Sequence, residues 1–135
     1  MAEVREFVCI VCPNGCRLRA ERGENGAITV SGNTCLRGEK FAIGELTHPM
    51  RSLTTTVRTA FPSFPVLPVR TAGEIPKESV REAMRVIASL EVTEPLACGD
   101  VVCENLAGTG VSLVATATVA VRETENNPRT TERRA

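Results

Sequence analysis

Four cysteines near the N-terminus, Cys9, Cys12, Cys16 and Cys35, are placed so that one inorganic centre could take them all. The spacing Cys9-x2-Cys12-x3-Cys16 puts three thiols in the tight segment CIVCPNGC, and Cys35 follows after eighteen further residues. Four thiolates are a complete ligand set for tetrahedral zinc or for an iron-sulfur cluster. Zinc ribbons usually present two separate CxxC knuckles. Three clustered cysteines with a distant fourth resemble cluster-binding segments more closely, so a [4Fe-4S] cluster is expected, with Zn as the alternative. A third chemistry is thiol-disulfide exchange between Cys9 and Cys12, which the lack of a surrounding βαβ pattern opposes.

The distant ligand has to be brought back to the loop. Asn25-Gly26 is a strong two-residue hairpin turn, with Gly where a positive φ is needed. Counting outward pairs Glu24 with Ala27, Arg22 with Thr29 and finally Cys16 with Cys35, about 4.5–5.5 Å apart at Cα. The segment CLRGEKFAIGEL then reads as a short helix able to close over the site. Within it, Arg37 and Gly38 are candidate cofactor-binding residues, because a positive charge favours a reduced cluster and backbone amides can donate to sulfur. A surface Arg before a turn Gly is the plainer reading of that step, and Lys40 has the same status.

Composition limits the remaining possibilities. The 135 residues suffice for one domain with a small appendage, and 42% hydrophobic residues permit a core. There is no Trp, no Tyr and only four Phe, so stacking platforms for bases are missing, and sixteen basic against sixteen acidic residues give no field for a polyanion. Nucleic acid is not an expected partner. No apolar run approaches the roughly 20 residues of a membrane-spanning helix, and MAEVREFVC has no signal-peptide pattern, which points to the cytoplasm. Six cysteines in that compartment indicate metal or redox chemistry before structural disulfides.

The expected fold is α+β. Residues 1–60 form a cysteine-rich β-hairpin metal-binding unit, ending in an edge or surface strand over the β-branched run Thr54 to Val57. Residues 61–74, beginning with the proline-dense FPSFPVLP, are expected to be a linker. Residues 75–122 should hold an amphipathic helix over 76–90, with Val80, Met84 and Ile87 on its apolar face, packed on a small antiparallel sheet. Two β-rich runs, Asp100 to Leu106 and Val111 to Val121, flank a turn at Gly108-Thr109-Gly110 and suggest a hairpin. The polar stretch 123–135 is expected to be a disordered tail. Cys98 and Cys103 are five apart, which on a strand sends them to opposite faces, so they are read as small buried hydrophobes. His48 has no acidic or nucleophilic partner in the sequence and is read as a turn residue.

Cys9-x2-Cys12-x3-Cys16 with the later Cys35-Leu36-Arg37-Gly38 resembles the N-terminal [4Fe-4S] domain of molybdopterin oxidoreductases such as formate dehydrogenase. The resemblance covers about the first third of the chain, and no molybdopterin-binding domains follow, so a catalytic subunit is not expected. A nearly full-length resemblance is to a bacterial family known by paired CxxC motifs. It rests on CIVCPNGC, GNTCLRGEKFAIGELTHPMRSLTTTVR, IPKESVREAM and GDVVCENLAGTGVSLVAT, which occur in that family's order. Members of that family are typically encoded beside FAD-dependent dehydrogenases related to anaerobic glycerol-3-phosphate dehydrogenase. The resemblance therefore implies an accessory electron-transfer subunit of an FAD-dependent oxidoreductase, with no catalytic activity of its own. A zinc-stabilised assembly module for the same flavoenzyme is the alternative.

Overall fold

A computed structural model describes residues 2–120, and their chain forms two compact units. Among the described residues the first comprises 2–51 and 74–80, and the second 52–73 and 81–120. The chain passes between the units after residues 51, 73 and 80, where the sequence suggests divisions after 60 and 74. The expected tail, 123–135, lies outside the described residues.

The first unit opens with three strands, β1 (Glu3–Val8), β2 (Arg17–Arg22) and β3 (Ile28–Ser31), in an antiparallel meander of that spatial order. β2 alternates exposed and buried residues, and its buried Leu18 and Ala20 face α1 (Leu36–Thr47). α1 answers with Gly38, Ala42 and Leu46, a buried stripe spaced by four residues that lies along one side of a helix. Phe7 and Phe41 close the edge of this core in a T-shaped contact, with ring centroids 6.5 Å apart.

The β2–β3 register differs by one residue from the expected one. Arg22 pairs with Ile28 and Glu21 with Thr29, because the connection is not a two-residue turn. Gly23 donates its N–H to the Ala27 carbonyl at 2.8 Å, the Asn25 side chain accepts from the Ala27 N–H at 3.1 Å, and Gly26 has φ +80°. The loop absorbs one more residue than an Asn-Gly turn would. Continued outward, this register sets Cys16 opposite Thr34 instead of Cys35.

Beyond His48, which caps the C-terminus of α1 with its N–H on the Gly44 carbonyl at 2.7 Å, come β4 (Met50–Arg51) and its distant partner β7 (Ile75–Pro76). Arg51 fastens this region to α1 through a bidentate pair with Glu45, at 2.7 and 2.9 Å. The Arg51 guanidinium, aided by Lys77, holds the Glu45 carboxyl below its ordinary 4.5. A carboxyl lowered in this way contributes stability that is complete above its unfolded value and is lost as pH falls through the folded one. Glu45→Gln should therefore lower the stability of the first unit by about 1 kcal/mol above pH 4.5, with no difference from the parent in strong acid. Urea unfolding across pH 2–7 checks this, and a deficit that persisted at pH 2 would contradict it.

The second unit is built on a five-stranded sheet. Its strands are β5 (Thr54–Thr59), β6 (Val66–Thr71), β8 (Glu91–Val92), β9 (Val101–Cys103) and β10 (Leu113–Ala115), in the order β8-β5-β6-β10-β9. All pairs are antiparallel except β5 with β8. β5 is thus an inner strand, although its β-branched Thr54 to Val57 stretch lies outside the two-residue pairing with β8.

The proline-rich segment is a tight hairpin that leads into the central strand. Phe61 to Phe64 form a turn closed by a 3.0 Å bond, with Pro62 at the second position, which suits its fixed φ. Pro68 pairs with Thr56 inside β6. Thr59 donates to Pro65 and Thr71 to Leu53 on that side, and the two-residue alternation of antiparallel ladders makes Thr56–Pro68 a non-hydrogen-bonded pair. On the other side the Pro68 carbonyl accepts from Thr116 at 2.9 Å, where β10 has just ended. Pro68 therefore forfeits a single ladder bond, while Leu67 and Val69 on either side of it are fully buried.

The helix α2 (Val80–Ser89) follows a 3-10 turn at Lys77–Ser79, as the helix-start signals predict. Its buried residues are Ala83 and Ile87, with Val80, Val86 and Leu90 half-buried, whereas Met84 is exposed. Arg58 of β5 donates to the Ala88 carbonyl near its end at 3.2 Å. The β9–β10 hairpin is present, and the turn between its strands runs through left-handed backbone at Asn105, Ala107 and Gly108. Among the described residues, no helix is long and apolar enough to cross a membrane.

Candidate functional site

The β1–β2 hairpin builds the cysteine loop. Its ladder runs from Glu3–Arg22 to Val8–Arg17, and the Cys9 N–H continues it with a 2.8 Å bond to the Cys16 carbonyl. Cys9 and Cys16 thus face each other where the loop begins and ends. The sequence carries a signal for this hairpin: Asn14-Gly15 is a second Asn-Gly turn pair, and Gly15 has φ +63°. The first strand is not legible in the sequence, because Glu3–Val8 is exposed along most of its length and lacks a clean alternation.

Cys35 arrives by a different route. It is the N-cap of α1, with extended backbone, and Gly32 makes the corner that leads to it. Gly32 has φ +84°, and a Cβ there would stand 2.2 Å from the Arg17 carbonyl oxygen, so only glycine allows β3 to turn so closely against β2. Gly38 is buried, and a Cβ on it would meet Asn33 at 3.3 Å and Leu18 at 3.4 Å. Its smallness lets the first turn of α1 settle against β2.

The four thiols line one pocket of about 260 Å³, together with Val11, Asn14, Thr34, Arg37 and Gly38. Cys9 is buried in the core of the unit, Cys12 and Cys16 are half-buried, and Cys35 is exposed. Among the described residues, no three or more His, Cys, Asp or Glu side chains stand in a group that could hold a metal ion as placed.

The electrostatics of the lining favour thiolates. The Cys16 sulfur accepts from Asn14 Nδ2 and contacts Thr34 Oγ1, both at 3.2 Å, and Thr34 foremost, then Asn14, holds its thiol below the ordinary range. The Gly38 amide first, then the amide and guanidinium of Arg37, do the same for Cys35. These contacts fall short of a strict side-chain cap hydrogen bond. Their effect is that of a helix N-terminus and a nearby cation on a sulfur anion, which needs only proximity. Arg37 also feels Cys12 and Cys9, and it is the one charged residue of the lining. A donor set of four thiols with hydrogen bonds and a cation to offset their charge fits a thiolate-bound metal centre.

Asn14 and Thr34 did not stand out in the sequence. Asn14 is masked by its role in a turn, and Thr34 becomes visible only with the corrected register. Cys98 and Cys103 are not part of the pocket, and neither is buried. Cys98 stands at an exposed turn, closed by the Asp100 N–H on the Ala97 carbonyl, with Gly99 at φ +93°. The strand begins only at Val101, and half-buried Cys103 ends it.

Fold and site together define an α+β protein with a small sheet-and-helix unit that gathers four cysteines around one pocket. The chain belongs to the DUF1667 family, described as a protein of unknown function, which matches residues 36–117. That match takes in Arg37, Gly38 and all five strands of the second unit's sheet, and it begins one residue after the last of the four cysteines. The chain is also similar to the NMR structure of the Clostridium perfringens protein CPE0013, at 25% identity and a TM-score of 0.51, over 58% of this chain and 93% of that one. No curated protein matches.

Proposed function

We propose that the protein is a non-catalytic iron-sulfur subunit of an oxidoreductase, in which Cys9, Cys12, Cys16 and Cys35 hold a [4Fe-4S] cluster. The observation that supports this reading is that Cys9, Cys12, Cys16 and Cys35 all line one pocket of about 260 Å³. Tetrahedral zinc wants each sulfur about 2.3 Å from a single ion. A four-iron cluster gives each thiolate its own iron, so its ligands surround a volume. When bound, such a cluster supplies one-electron chemistry.

The remaining roles belong to the chain. Cys9, buried in the core, anchors the loop, and Gly38 leaves room for the helix to bring Cys35 forward. Arg37 offsets the negative charge of the thiolates. Ile10 and Leu36 flank pocket cysteines in sequence and are 78% and 71% exposed, which supports a docking face for a partner. That partner, on the resemblance of the sequence to subunits encoded beside such enzymes, is an FAD-dependent dehydrogenase of the glycerol-3-phosphate dehydrogenase type, in the cytoplasm.

Anaerobic purification followed by assay of iron, zinc and acid-labile sulfide tests the centre. About four irons and four sulfides per chain are expected. One zinc without sulfide would overturn the electron-transfer reading and leave a zinc-stabilised assembly module.

A further inference from the structure

We propose, building on the redox reading of the pocket, that Asn14, Thr34 and Arg37 are positioning residues that set its affinity for an added electron by compensating charge at Cys16 and Cys35. Two side-chain contacts converge on one sulfur, Asn14 Nδ2 and Thr34 Oγ1 on Cys16 Sγ, each at 3.2 Å. A metal-bound thiolate has no proton to give, so the Thr34 hydroxyl must be the donor in its contact. Among the described residues, no hydrogen bond of this kind reaches the sulfurs of Cys9 or Cys12. Cys35 stands at the start of α1, and the cation of Arg37 lines the same pocket.

The compensation is therefore unequal around the site, and it has an energetic direction. A donor aimed at sulfur, or a cation beside it, interacts more strongly as the sulfur gains negative charge. Each of the three residues thus stabilises the reduced state more than the oxidised one and raises the midpoint potential. They also occupy the open side of the pocket: Asn14, Thr34, Cys35 and Arg37 are all exposed, while Cys9 is buried. The side whose charge is compensated is the side from which a reduced flavin partner would deliver its electron.

The test is a potentiometric titration of full-length protein loaded anaerobically with iron and sulfide, in which mediators supply one electron per centre and no bond is made or broken. Arg37→Gln is expected to make reduction roughly tenfold less favourable, which for one electron is a midpoint about 59 mV more negative. Asn14→Ala and Thr34→Val should shift it in the same direction, and together further than either alone. Arg37→Lys and Thr34→Ser, which keep the charge and the hydroxyl, should restore most of the parent value. Unchanged midpoints in Arg37→Gln, Asn14→Ala and Thr34→Val, with iron and sulfide content equal to the parent, would overturn the inference while leaving the cluster in place. If the parent protein took up no iron and sulfide, the redox reading would fall, and this assignment with it.

Discussion

Cys16→Ser and Cys35→Ser are each expected to reduce bound metal by at least about tenfold, since losing a ligand should exceed the 10–100-fold effects typical of residues that only support one. The two positions are informative because they reach the pocket independently. Cys16 closes the β1–β2 hairpin, whereas Cys35 caps α1. Neither belongs to the fully buried core, so serine at either should leave the fold of the unit largely intact, as circular dichroism would confirm. Cys9→Ser differs, because Cys9 lies among Leu18, Ala20, Ala42 and Leu46 and its replacement also places a hydroxyl in an apolar core. Cys98→Ser and Cys103→Ser serve as controls and should not change the metal content. Parent-level iron or zinc in both Cys16→Ser and Cys35→Ser would show that the four-cysteine ligand set is wrong.

The second large effect is expected away from any sulfur. Gly32→Ala should destabilise the first unit by at least about 3 kcal/mol, because it combines a left-handed backbone with a direct clash. The added methyl would stand 2.2 Å from the Arg17 carbonyl oxygen, and backbone at that position cannot swing aside as a side chain end would. Gly26→Ala provides the comparison. Its φ is +80°, but a Cβ there meets nothing within 4 Å, so only the cost of left-handed backbone remains, about 1–2 kcal/mol. Chemical denaturation of the two variants separates the terms. Metal content should fall in Gly32→Ala because the corner it distorts leads straight to Thr34 and Cys35. Equal stabilities for the two variants would mean that the close approach of β3 to β2 has no energetic weight.

Much of this molecule is legible in its sequence, and the parts that are not have physical causes. Local signals were reliable where the chain is self-sufficient: the helix after Pro76, the helix after Cys35, and the hairpin around Gly108 all follow from capping, periodicity and turn chemistry. Those signals failed where one residue has two possible roles. Asn25-Gly26 suggests a two-residue turn, but Gly23 closes a wider loop, and that single extra residue changes which residue faces Cys16. Proline argues against a central strand only if its missing N–H is needed. Pro68 stands in a non-hydrogen-bonded pair on one side and at the end of β10 on the other, a circumstance fixed by strands distant in the chain. The gathering of four cysteines was legible from spacing, whereas the groups that tune their charge became visible only with the register.

The interrupted sequence of the first unit constrains how such a protein could be dissected. Its chain leaves after Arg51 and returns at Glu74 to lay β7 against β4. A fragment ending at residue 51 would carry all four cysteines and yet lack the strand that completes the unit, leaving β4 with an unpaired edge. No single cut frees the whole unit, although the cysteine pocket and the core behind it lie within residues 7–46. Excising the unit would require splicing 74–80 back on through a new connector in place of residues 52–73.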